Sequence, residues 1–126
     1  MTKVIISEDC GNSPKNNFLK DLTIALAKGN TKFILGSVTD EITWNFVGGK
    51  KIQGKSAFSE YVKEMRADKA AEIVIYQIST HGVSGAVNGE VKLKNRKTYG
   101  FCDVYKFSNA KGEKIKEITS YIIEIV

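Results

Sequence analysis

The stretch YGFCDVYKF, Tyr99 to Phe107, sets a single carboxylate, Asp103, among strand-forming valine and aromatic residues. A charge buried there is costly unless it is paired, hydrogen-bonded or neutralised. Asp103 is therefore either a satisfied structural group or a carboxyl available as an acid or hydrogen-bond donor. His81 is the only histidine and precedes Gly82 at a turn. Imidazole titrates near neutrality, so His81 is a second candidate acid or base, although a lone turn histidine is more often simply solvated. Two cysteines, Cys10 and Cys102, lie far from each other and from His81. That spacing matches no zinc pattern, and no metal or cofactor is expected. Gly48-Gly49 is not followed by the Lys-Ser/Thr helix start of a phosphate loop.

These residues need elements to position them. Ser13-Pro14 reads as a helix start, and Phe18, Leu19, Leu22, Ala25 and Leu26 fall on one helical face before Gly29. Asn30 can cap a short second helix through Phe33, Ile34 and Leu35. Ile42, Trp44 and Phe46 alternate with Thr43 and Asn45, as in a strand with one buried face. A Gly48-Gly49 turn and a short return strand through Ile52 follow. Ser56 is expected to cap a third helix with the stripe Phe58, Tyr61, Val62 and Met65. Four long strands complete the chain, at 72–81, 85–94, 97–108 and 114–125. Their short connections imply antiparallel neighbours. The fold class is α+β: helices packed on one face of a curved antiparallel sheet.

At 126 residues the chain suits one domain, 1–126, with residues 1–12 expected to be flexible or loosely packed. A charged content of 26% and a hydrophobic content of 42% match an ordinary globular protein. No apolar run is long enough for a membrane span, and Val4-Ile5-Ile6 is too short for a signal peptide. A cytoplasmic location and no membrane partner are expected. The net charge is +5, but the lysines are dispersed among acids. The one basic cluster, KLKNRK (Lys92 to Lys97), falls at a hairpin, so no nucleic-acid partner is expected.

Several strands are apolar at both parities, for instance Val74, Tyr76 and Ile78 against Ile73 and Ile75. A sheet apolar on both faces needs two covers. Helices supply one, and a second copy of the chain is the simplest other. A homodimer through Val74, Tyr76, Ile78, Cys102 and Val104 is expected.

Three segments carry a resemblance in their order and spacing: ALAKGNTKFILGSVTDEITWNFVGG (25–49), IQGKSAFSEYVKEM (52–65) and FCDVYKFSNAKGEKIKEITSYI (101–122). Together they resemble the nuclear-transport-factor-2-like superfamily, which includes SnoaL-like polyketide cyclases and steroid isomerases. The resemblance implies a cone-shaped sheet with three helices on its concave face, a pocket between them, and dimers formed through the sheet. In the steroid isomerases an Asp is the base, and a Tyr and a protonated Asp form the oxyanion hole. Carried onto this chain, the base position falls on Phe46 and the tyrosine position on Leu22. Only the second Asp has a counterpart, Asp103.

The resemblance also places Ile118, Ser120 and Ile122 on the concave face. Two-residue turns at Gly82-Val83 and Asn95-Arg96 would set Gln77 opposite Asn88, and Asn88 opposite Asp103. The expected pocket is then a polar row of Gln77, Asn88, Asp103 and Ser120 within an apolar surround of Trp44, Phe46, Phe101 and Tyr105. Two functions follow. One is a lyase, isomerase or cyclase acting on a small hydrophobic molecule, with Asp103 as acid or hydrogen-bond donor and His81 as a possible base. The other is a non-catalytic ligand-binding or dimeric interaction module. A one-residue slip in register would turn each of these side chains to the opposite face.

Overall fold

Helix α1 (Pro14–Lys28) starts at its capping residue: Ser13 Oγ accepts the Asn16 N–H at 3.1 Å, with Pro14 in the first turn. It ends at Gly29, which holds φ 74 and donates its N–H to the Ala25 carbonyl. A Cβ there would press on the Arg66 backbone at 3.2 Å, so the position demands glycine on two counts. Helix α2 (Thr31–Gly36) follows from the Asn30 cap, whose side chain accepts the Phe33 N–H. Helix α3 (Lys55–Met65) begins two residues earlier than the Ser56 cap would place it; Gly54 occupies the capping position and offers no side-chain bond. The computed structural model describes residues 1–126, the side chain of Ala67 apart.

The strands are β1 (Lys3–Ile6), β2 (Val38–Phe46), β3 (Lys51–Gln53), β4 (Glu72–His81), β5 (Ser84–Lys92), β6 (Thr98–Phe107) and β7 (Ile115–Ile125). They form one open sheet in the order β1-β4-β5-β6-β7-β2-β3. The four-strand meander is antiparallel as expected, but the sheet as a whole is mixed. Both β1–β4 and β2–β7 pair in parallel.

Parallel pairing of β1 also corrects the expectation for residues 1–12. Val4 pairs with Ile73 and Ile6 with Ile75, and the following 3-10 turn (Glu8–Cys10) buries Cys10. Asn16 of α1 donates to the Cys10 carbonyl at 2.8 Å, fixing the segment from the helix side. The short β-branched run Val4-Ile5-Ile6 is long enough for an edge strand.

The core lies between the concave sheet face and the helices. Leu19, Leu22 and Ala25 of α1 and Phe58 and Val62 of α3 pack on Ile42, Ile75, Ile78, Val87, Tyr105 and Ile118. Ile78 is therefore an inner residue, 4% exposed, and not part of the outer face as expected. The cause is a β-bulge. Ile75 pairs with Gly89 and Gln77 with Asn88, which leaves Tyr76 as an extra residue and reverses the parity of β4 beyond it. Gly89 permits this, because a Cβ there would lie 1.9 Å from the Val74 carbonyl oxygen.

Candidate functional site: an apolar cavity under the sheet

Along β6, alternation sends Phe101, Asp103 and Tyr105 to the concave face and Cys102 and Val104 to the convex one. Ser120 of β7 pairs directly with Asp103, and Phe46 of β2 pairs with Ser120. These three strands bring a carboxylate, a hydroxyl and an aromatic ring into one row. Above the row lies a cavity of about 260 Å³, a little below the range of roughly 300–1,000 Å³ common for small-molecule sites. Trp44, Phe46 and Phe101 form walls on the sheet side. Thr23, Leu26 and Ala27 of α1 and Tyr61 and Met65 of α3 line the opposite side. Ile73, Val91, Leu93 and Ile122 close the apolar lining, and Asp68 borders it from the 3-10 turn after α3.

The aromatic wall is interlocked. Trp44 stacks on Phe46 with centroids 4.7 Å apart, and Tyr61 meets Trp44 edge-on at 5.7 Å and 85°. The outer side of this cluster carries Lys50, whose Nζ sits 4.0 Å from the Tyr61 ring centroid.

Two chains of hydrogen bonds organise the polar groups. Trp44 Nε1 donates to Ser120 Oγ at 2.9 Å, and Ser120 Oγ donates to Asp103 Oδ1 at 2.6 Å. Thr23 Oγ1 donates to the Leu19 carbonyl of its own helix at 2.7 Å, which leaves it to accept from Tyr105 Oη at 3.3 Å. Asp103 Oδ2 has no hydrogen-bond partner among the described residues. Burial raises the Asp103 carboxyl to about 6, against a smaller opposing effect of the Ser120 hydroxyl. Burial, with Asp103 close by, likewise pushes the Tyr105 phenol well above its ordinary range, so Tyr105 stays neutral.

Of the residues expected at the pocket, Trp44, Phe46, Phe101, Asp103 and Ser120 line this cavity. Tyr105 lies fully buried beneath it and touches it only through Thr23. Gln77 and Asn88 do pair with each other, but on the convex side. Asn88 stands opposite Cys102, and Val87 opposite Asp103. The slip comes from the β5–β6 turn: Leu93 N bonds Lys97 O around a three-residue loop with Arg96 at φ 72, in place of a two-residue turn. His81 is exposed at the end of β4 and does not line the cavity. Leu22 is fully buried and lies outside the lining.

Thr23, Tyr61 and Asp68 escaped the sequence reading. Tyr61 stood in the α3 stripe but counted only as core. Thr23 interrupts the apolar face of α1 next to Leu22, a signal of the same kind as Asp103. Asp68 had no such signal, because its place depends on how the chain turns after α3. Among the described residues no three His, Cys, Asp or Glu side chains gather as a metal site. No helix is long and apolar enough to cross a membrane.

No protein-family model matches the sequence, and no curated protein matches it in sequence. Solved structures do match the fold. A nuclear-transport-factor-2-like protein of unknown function from Burkholderia xenovorans superposes with a TM-score of 0.75 at 16% identity, covering 89% of this chain and 84% of that one. An epoxide hydrolase of the LEH-like type from M. tuberculosis gives 0.72 at 15% identity, with 85% and 80% covered. A ketosteroid isomerase-like protein from Kribbella flavida gives 0.72 at 10% identity, with 89% and 79% covered. The chain has the nuclear-transport-factor-2-like fold. At these identities the likeness concerns the fold, and the fold alone does not assign a reaction.

Proposed function

We propose that the chain binds a small, mostly apolar molecule in the cavity under the sheet and handles a proton on it through Asp103. The observation that carries this is the Asp103 carboxyl: 8% exposed, held through one oxygen by Ser120, its other oxygen unpartnered in an apolar cavity. A carboxyl raised to about 6 is an acid or hydrogen-bond donor when protonated and an acceptor when ionised, and both forms are accessible near neutrality. Isomerase-, lyase- or cyclase-type chemistry fits a lone proton-handling group, and the fold's occurrence among isomerase-like and hydrolase structures supports an enzyme. His81 has no part in this reading, since it lies away from the cavity.

A screen of hydrophobic ketones, acids and steroids, read by Trp44 fluorescence and thermal shift, tests the proposal. Saturable binding that Ala27→Phe abolishes by filling the cavity is expected; binding indifferent to that change overturns it. Turnover lost in Asp103→Asn with binding retained marks an enzyme. Binding without turnover marks the second reading, a non-catalytic ligand-binding module. That reading is favoured by Phe46 and Leu22, which stand where the steroid isomerases hold a base and a tyrosine.

We further propose a homodimer through the convex sheet face. Tyr76, Val104, Tyr121 and Ile123 are 39–71% exposed there. Val74 and Cys102 lie on the same face, half-buried. Tyr121 pairs with Cys102 across β6–β7, so the apolar surface is continuous over neighbouring strands. Light scattering at twice the monomer mass is expected, and a monomer at high concentration overturns the proposal.

A further inference from the structure

Which class of molecule the cavity accepts follows from its hydrogen-bond inventory. The Trp44 N–H, the Ser120 O–H and the Thr23 O–H all have protein acceptors, and the Tyr105 O–H is turned to Thr23. Two polar groups of the lining are left unengaged among the described residues: Asp103 Oδ2, the buried one and an acceptor when ionised, and the Tyr61 hydroxyl, which can donate or accept. The other fixed electrostatics share the sign of the Asp103 carboxylate. Asp68 borders the same cavity, and the π-faces of Trp44, Phe46 and Tyr61 carry partial negative charge. Among the described residues no lysine or arginine lines it. Lys50 stands on the outer side of Tyr61 and shows that this ring holds a cation. The basic turn at Lys94, Arg96 and Lys97 starts just beyond Leu93, yet its side chains are outside the lining.

We infer that the ligand is a lipophilic amine: an apolar body inside the aromatic wall, with a protonated nitrogen donating to Asp103 Oδ2. The inference rests on the small-molecule reading of this cavity and narrows its ligand class. A carbonyl ligand meets an acceptor and a negative wall, and a carboxylate meets like charge at both Asp103 and Asp68. An ammonium group supplies the donor that Oδ2 lacks and the counter-charge that the buried carboxylate lacks. The groups that share the cavity with Asp103 are Ser120 on β7, uncharged Thr23 on α1, Tyr61 on α3 and the exposed Asp68 after α3, with the neutral Tyr105 buried beneath.

Cyclohexyl, adamantyl and naphthyl bodies, each as the amine, the alcohol, the ketone and the carboxylic acid, would be titrated against the full chain by Trp44 fluorescence and calorimetry. For at least one body the amine should bind at least about tenfold more tightly than its alcohol and ketone, as a charge-assisted bond requires. Its affinity should rise from about pH 5 to about pH 7 as Asp103 ionises, since an alkylamine stays protonated there. Asp103→Asn should erase most of the amine preference and leave the alcohol within about threefold. If that variant does not fold, the pH series on the unaltered chain decides. A ketone or acid binding best, with affinity falling over the same pH range, overturns the amine assignment and leaves the small-molecule cavity standing. Absence of binding by every body overturns both.

Discussion

The two faces of one strand invert each other's problem. On the concave side of β6, Asp103 is a charged group in an apolar wall. On the convex side Val104, with Tyr121 and Ile123 of β7, forms an apolar surface open to water. Neither arrangement is what folding alone selects. A residue chosen only for stability would be apolar at 103 and polar at 121 and 123. Both departures sit within two neighbouring strands, so the proposed ligand site and the proposed dimer surface lie back to back through a single sheet layer.

The sharpest way to break this contrast is to remove the device that sorts β4 between the faces. Gly89→Val puts a Cβ against the Val74 carbonyl and should cost about 4 kcal/mol or prevent folding, measured by urea unfolding. On the convex face, Ile123→Glu should weaken dimerisation by about a hundredfold, roughly 3 kcal/mol, with the protein still folded. Sedimentation of the variant as a dimer would remove that face from the comparison.

On the concave face the expected sign is opposite. The folded carboxyl of Asp103 titrates at about 6, above its ordinary 3.8. The native state therefore holds the proton more tightly, and this stabilisation is complete below about pH 4 and lost as pH rises through about 6. Asp103→Asn should accordingly raise stability at pH 8 by about 2 kcal/mol, read as a higher Tm, while abolishing any turnover. A lower Tm would make Asp103 a structural group. Ser120→Ala should cost about 1 kcal/mol, red-shift or quench Trp44 and move the Asp103 titration higher, which NMR can follow. His81→Gln should change stability by less than about 0.5 kcal/mol and leave ligand affinity unaltered.

How far the sequence reached divides along physical lines. The helix start at Ser13-Pro14, the stop at Gly29 and the alternation that sets Asp103 apart from Cys102 and Val104 were legible, because capping and alternation are local, whereas the inward placement of Ser120 came only from the family resemblance. Gln77 and Asn88 were misplaced by two non-local adjustments. One is the bulge at Tyr76, hinted at only by a glycine inside a strand. The other is a loop that puts Arg96, a residue with no special liking for positive φ, where a glycine would have announced it. Parallel pairing of β1 with β4 and of β2 with β7 joins segments far apart in the chain, and no turn encodes it. The Trp44–Ser120–Asp103 relay depends on that second pairing, so its members were legible one at a time but not as a chain.

The rims of the sheet bear on how the molecule can aggregate. The strands at its two margins, β1 and β3, span four and three residues, and Lys3, Lys51 and Gln53 stand exposed along them. Ribbons that short, each carrying one lysine, are poor templates for a foreign strand even though Ile5 and Ile6 are partly exposed on β1. Lateral growth is thereby discouraged at both ends, and the proposed pairing of convex faces, being isologous, would close at two copies without propagating into a fibre.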